Sequence, residues 1–109
     1  MRTFKEYQEK LNSMRKNVYI NGELVERNDP RPLGGQNIMG ITFDAAMSDD
    51  PELRELATAT SHLTGHTINR FTHIYQTPDD LLKKQAMIRE LGHLAGGCIQ
   101  RCMGCDAIN

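Results

Sequence analysis

The first apolar residues, Phe4, Tyr7, Leu11 and Met14, recur at intervals of three and four, one stripe of an amphipathic helix. Thr3-Phe4-Lys5-Glu6 has capping-box spacing, in which the Thr3 hydroxyl and the Glu6 carboxylate each take a backbone N–H that the helix start leaves unpaired. Arg15 and Lys16 fall in its last turn, where cations suit the helix dipole. The pattern then shortens to β-branched and aromatic residues around Asn21-Gly22, in Val18-Tyr19-Ile20-Asn21-Gly22-Glu23-Leu24-Val25-Glu26. That predicts a hairpin, because Asn and Gly tolerate the positive φ of a two-residue turn. Two short strands are marginal alone, so the hairpin has to lean on helices.

From Arg27 to Gln36, Pro30, Pro32 and Gly34-Gly35 predict a loop. Ile38, Met39, Ile41, Phe43, Ala45, Ala46 and Met47 fit a second helix that Gly40 and Thr42 weaken. Asp50-Pro51-Glu52 restarts the helical pattern, with Asp50 as N-cap, Pro51 at the first position and Leu53, Leu56 and Ala57 as its apolar face. The Thr-, Ser- and Gly-rich run Thr58 to Thr67 reads as irregular, and Ile68, Phe71, Ile74 and Tyr75 fit a strand or a helical turn. Thr77-Pro78-Asp79-Asp80 opens a last helix, with the stripe Leu81, Ile88, Leu91, Leu94 and Ala95 running on to Cys98, Cys102 and Cys105. Gly96-Gly97 interrupts it, either bending the helix or leaving room for a bulky group. With no repeat or linker, residues 1–109 read as one mainly α N-terminal-type helical domain with a short β-hairpin.

Composition narrows the function classes. With 109 residues, 39% apolar and 25% charged, the chain fits a single soluble domain, small for a cofactor enzyme. A net charge of −1 with mixed signs gives no electrostatic case for nucleic acid or a membrane surface. The first residues lack the apolar core of a secretion signal, and no apolar run is long enough to span a bilayer. Three clustered cysteines argue against a disulfide framework and for a reducing, cytoplasmic setting.

Cys98, Cys102 and Cys105 fall within an arc of roughly 60° if their stretch is helical, since each residue turns about 100°. Three soft ligands on one stripe suit iron–sulfur or zinc, yet are too few to close a four-ligand site. The plainer reading makes them small hydrophobes on a packed face. Zinc would call for a second ligand pair, and His62 and His66 in their Thr-rich run, or His93, are weak candidates for one. The spacing of three and then two intervening positions also matches radical S-adenosylmethionine enzymes. Their pattern places an aromatic residue where Gly104 stands, and it follows a barrel strand that a chain with four residues after Cys105 does not accommodate.

A broader likeness covers nearly the whole chain. The capped helix, the Val-Tyr-Ile-Asn-Gly-Glu hairpin, Gly65-His66-Thr67-Ile68-Asn69-Arg70-Phe71 and Cys98-Ile99-Gln100-Arg101-Cys102-Met103-Gly104 together resemble the N-terminal part of the 4-hydroxybutyryl-CoA dehydratases. These sit with flavin-dependent 4-hydroxyphenylacetate 3-monooxygenases in one larger family, and Cys-x-Gln-Arg-Cys is the part that marks the dehydratase branch. The resemblance implies an acyl-CoA-dehydrogenase-like fold whose middle β domain and C-terminal helical domain lie outside these residues. It also implies a homotetramer, an acyl-CoA substrate, FAD and a [4Fe–4S] cluster, with Cys98 and Cys102 as two cluster ligands. The remaining ligands, a histidine and a cysteine, come from far downstream, and Cys105 departs from the pattern as a packing or spare thiol.

The implied chemistry is removal of an unactivated β-proton by way of a flavin-generated radical, with iron as Lewis acid on the departing hydroxyl. Gln100, Arg101 and Arg89 are the implied contacts to flavin, CoA phosphate or substrate, against a solvated or ion-paired reading of the arginines. Asn69 and Arg70 read as positioning residues. No catalytic residue is expected within this segment, which alone should be silent. Two alternatives stay open: the N-terminal domain of a cluster-free flavin monooxygenase, and a non-catalytic helical module.

Overall fold

Each helix start follows from a side chain that takes over an unpaired amide. In the computed structural model, which describes residues 1–97, α1 spans Phe4–Ser13 behind a complete Thr3/Glu6 capping box. The Thr3 N–H donates to Glu6 at 2.7 Å and the Glu6 N–H to Thr3 Oγ1 at 3.2 Å. The hairpin forms as expected, with β1 (Val18–Ile20) antiparallel to β2 (Glu23–Val25) and Val18 opposite Val25. Asn21 and Gly22 take φ of 51° and 81°, the double left-handed pair of a type I′ turn. Val25 is buried, whereas Tyr19 and Leu24 face outward.

The expected loop at 27–36 is corrected: helix α2 runs Pro30–Ala46 and already begins at the first proline. Pro30, Arg31 and Pro32 are its first three residues, and the prolines have no N–H to leave unpaired. The one amide among them, that of Arg31, donates to Asp29 Oδ1 at 2.9 Å. Gly40 and Thr42 sit inside α2 and are buried, so the two residues that weakened the helix reading are the ones that let it pack. The Phe4 ring lies over Gly40, and Tyr7 stacks on Phe43 at 4.9 Å between centroids, docking α1 on α2.

Asp50 caps α3 (Pro51–Ala57) as expected, accepting from the Glu52 N–H at 3.0 Å. The run expected to be irregular holds a second hairpin, β3 (Thr58–Thr60) antiparallel to β4 (Thr67–Asn69), with Ala59 opposite Ile68. Only that central pair is apolar, which is why no alternation announced it. A 3₁₀ turn, Arg70–Thr72, follows directly. Thr77 and Asp80 then form a second capping box that starts α4 (Pro78–Ala95).

The core lies where α2, α3 and α4 meet: Ala45, Ala46, Ala57, Phe71, Met87 and Leu91, flanked by Ile38, Ile41, Leu53, Leu56 and Ile88. The buried stripe of α4 is Lys84, Met87 and Leu91; Leu81 and Leu94, expected on it, are 47% and 55% exposed. Lys84 survives burial by placing its ammonium 5.0 Å from the Tyr75 ring centre. The glycine pair ends α4 rather than bending it. Gly96 is left-handed at φ 73°, and the Gly97 N–H reaches back to Gly92 O at 2.7 Å, a Schellman closure.

Candidate functional site

A concavity is built from the end of α3, the β3–β4 hairpin, the 3₁₀ turn and the start of α4. It encloses about 550 Å³. Arg70 is its keystone. Asn69 turns the chain here: its carboxamide oxygen takes the Phe71 N–H at 3.0 Å, and its amide donates to Thr42 O at 3.0 Å across to α2. Arg70 is thereby aimed at the C-terminal end of α3, which ends in open carbonyls. Its Nε donates to Leu56 O at 2.6 Å, and Nη2 donates to Glu55 O at 3.0 Å and to Thr58 O. The residue is 7% exposed, and burial lowers its pKa against the opposing pull of Asp80, Asp79 and Glu55.

His73 and Asp80 also line the concavity. His73 is 5% exposed; its Nε2 lies 3.3 Å from Asp80 Oδ1, and its buried Nδ1 has no partner. Asp80 Oδ2 accepts the Gln76 N–H at 2.7 Å and the Thr77 N–H at 3.1 Å. These bonds, Gln76's first, then Thr77's and the His73 contact, hold its carboxyl below the ordinary range. Lys83 stands at the rim, paired with Asp79 at 2.9 Å, and the Thr60 and Thr67 side chains line the hairpin side.

The residues marked out in the sequence lie elsewhere. Cys98, Gln100, Arg101, Cys102 and Cys105 fall outside the described residues. Arg89 is exposed, nine residues beyond Asp80 and so about half a turn round α4 from the groove. His62 lines the groove, but among the described residues no three His, Cys, Asp or Glu side chains gather as a metal site. Asn69 and Arg70 have the positioning roles read for them. That Arg70 and Asp80 meet His73 and Lys83 in one groove has no signature in the sequence, where Arg70 stands alone as a cation between Ile68 and Phe71.

The sequence signature described as 4-hydroxyphenylacetate 3-hydroxylase N terminal matches residues 3–109. The chain belongs to this family. Within the 4-hydroxyphenylacetate 3-hydroxylase N-terminal family it is 38% identical, over 107 residues, to the 4-hydroxybutyryl-CoA dehydratase/vinylacetyl-CoA-Δ-isomerase of Clostridium aminobutyricum. That match covers 98% of this chain and 22% of the relative. The solved oxygen-tolerant archaeal 4-hydroxybutyryl-CoA dehydratase from N. maritimus superposes with a TM-score of 0.80 at 36% identity, over 93% of this chain and 20% of that one. The mainly helical fold described above is thus shared with a solved dehydratase, and this chain spans about a fifth of the length of the relatives it matches. No described helix is long and apolar enough to cross a membrane.

Proposed function

We propose that the chain is the N-terminal segment of a 4-hydroxybutyryl-CoA dehydratase with vinylacetyl-CoA isomerase activity. It would act within an acyl-CoA-dehydrogenase-like homotetramer in the cytoplasm, with FAD and a [4Fe–4S] cluster. The observation that carries this is 38% identity to such a dehydratase across 98% of the chain, in a sequence that holds Cys98-Ile99-Gln100-Arg101-Cys102.

The donor set suits half a cluster shell. Two thiols with three residues between them are soft ligands for iron, and no cluster of ligands among the described residues competes with them. The other ligands would come from the rest of the enzyme. When bound, the iron offers Lewis acidity toward a hydroxyl and the flavin offers one-electron exchange. This chain's own part is to hold and aim. Met87 and Leu91 fix α4 in the core, and the left-handed Gly96 and Gly97 set the direction in which the backbone leaves, one residue before Cys98. Gln100 and Arg101, between the thiols, would orient flavin or substrate, and exposed Arg89 would meet a phosphate of flavin or CoA on the face of α4 away from the groove.

The test is iron and acid-labile sulfide analysis of the full-length protein after anaerobic reconstitution, with conversion of 4-hydroxybutyryl-CoA to crotonyl-CoA as the activity. Cys98→Ala and Cys102→Ala should each lose the cluster, and Cys105→Ala should keep it. A cluster lost with Cys105→Ala and kept with Cys98→Ala overturns the ligand assignment. Flavin without iron supports a 4-hydroxyphenylacetate 3-hydroxylase type of enzyme instead, and neither group supports a non-catalytic module.

A further inference from the structure

We propose that the groove between the β3–β4 hairpin and the start of α4 binds the phosphate of a nucleotide-sized ligand, with Arg70 as its central cation. Arg70 is a full charge held inside the protein, and such charges are ordinarily paired. Here its three acceptors are all backbone carbonyls, reached by Nε and Nη2, and among the described residues it makes no ion pair. The carbonyls lock the guanidinium in place without neutralising it, and none of the described hydrogen bonds uses Nη1. A guanidinium fixed in this way has already lost the freedom that an anion would otherwise have to take from it.

The surrounding wall favours the same class of ligand. Lys83 and His62, with the hydroxyls of Thr60 and Thr67, bring donors from α4 and the β3–β4 hairpin. Two carboxylates line the groove. Asp80 is held ionised by the Gln76 and Thr77 amides and by His73, so its charge opposes an anion even though both of its oxygens are turned to these partners. Glu55 opposes an anion, but it is exposed on α3 and free to turn into solvent. Convergent donors from different directions suit the outward-pointing oxygens of a tetrahedral phosphate better than a planar carboxylate. The volume of about 550 Å³ lies within the span of small-molecule sites and far exceeds one ion, so the phosphate would belong to a larger body. Which body rests on the dehydratase reading: CoA and FAD both carry adenosine phosphates.

Calorimetric titration of the full-length protein with three probes tests this: inorganic pyrophosphate, adenosine 3′,5′-bisphosphate (the phosphorylated end of CoA) and ADP (contained in FAD). Removing Arg70 would strip three carbonyls of their partner and threaten the fold, so the decisive variants are the exposed rim changes Thr60→Glu and Lys83→Glu. Each should weaken saturable binding at least about fivefold, and added salt should weaken it further. Preference for the bisphosphate assigns the 3′-phosphate end of CoA, and preference for ADP assigns the adenosine pyrophosphate that CoA and FAD share. Equal binding of all three assigns a phosphate subsite blind to the nucleoside. Affinity unchanged in both variants, or no saturable binding of any probe, overturns the proposal. Binding that responds to the variants in a protein without iron or dehydratase activity keeps the subsite and removes the dehydratase reading; the converse result removes only the subsite.

Discussion

Two glycines on one helix show how differently a single missing side chain is used. A Cβ at Gly40 would stand 2.7 to 2.8 Å from three atoms of the Phe4 ring, whereas one at Gly34 would meet nothing within 4 Å. Both lie in α2 with ordinary helical backbone, so both changes to alanine gain helix propensity, about 1 kcal/mol. At Gly34 that gain stands alone, and Gly34→Ala should raise stability by roughly 0.5 to 1 kcal/mol. At Gly40 the ring must swing away and take the α1 docking with it, so Gly40→Ala should lower stability by about 1 to 2 kcal/mol net. Urea-unfolding midpoints of the two variants read the sign directly. A stabilised Gly40→Ala would mean the Phe4 ring is not seated there. The sequence showed only a glycine in an apolar run and read it as a weakness. Which aromatic fills the gap depends on Phe4, 36 positions earlier, and periodicity along one helix carries no such information.

At the scale of elements, the same pair of residues was legible twice and missed once. Asp50-Pro51 and Thr77-Pro78 were read as helix starts, and α3 and α4 begin there. Asp29-Pro30 is the same signal, but Pro32 and Gly34-Gly35 follow it, and breakers at short spacing outweighed the cap. They do not break α2 because Pro32 falls in the first turn, where no N–H is needed, and tertiary packing outweighs the propensity cost of the glycines. The start therefore depends on the Asp29 carboxylate. The Arg31 side chain, bound to both of its oxygens, and then the Arg31 N–H hold its pKa at about 2 against an ordinary 3.8. The unfolded chain binds this proton at higher pH than the folded chain does. The cap's contribution is therefore complete above about pH 4 and fades as pH falls toward 2. The Arg31 amide resonance should titrate with a midpoint near 2 and stay flat in Asp29→Asn. A midpoint near 4 would show that the carboxylate is not bound to Arg31 in solution. The second hairpin escaped for a different reason: β3 and β4 join largely through threonines, whose β-branching suits a strand but whose polarity hides the alternation.

For the whole molecule, the family likeness was legible because short ordered motifs survive in sequence. The groove was not, because Arg70, His73, Asp80 and Lys83 are brought together by a turn and two caps rather than by any spacing. The same view exposes how little holds these residues together. Among the described residues, the buried apolar set contains three alanines beside Val25, Phe71, Met87 and Leu91, and only Met87 and Leu91 are large side chains sealed completely. Tyr19, Leu63, Ile74, Leu82 and Leu94 meanwhile stay more than half exposed. A domain of about this size normally has roughly 5 to 15 kcal/mol of stability, and a core this thin belongs at the lower end. Leu91→Ala, which opens a cavity where α2, α3 and α4 meet, should cost about 2 to 5 kcal/mol. The polypeptide of residues 1–109 by itself should then lose its fixed packing, with ANS bound and near-UV dichroism lost while helical signal persists. If the relatives' additional length covers those exposed side chains in the full-length protein, the same substitution there should lower Tm by only a few degrees and leave ANS unbound. Sharp, cooperative unfolding of Leu91→Ala in the 1–109 polypeptide would instead mean that these helices stabilise one another without any outside cover.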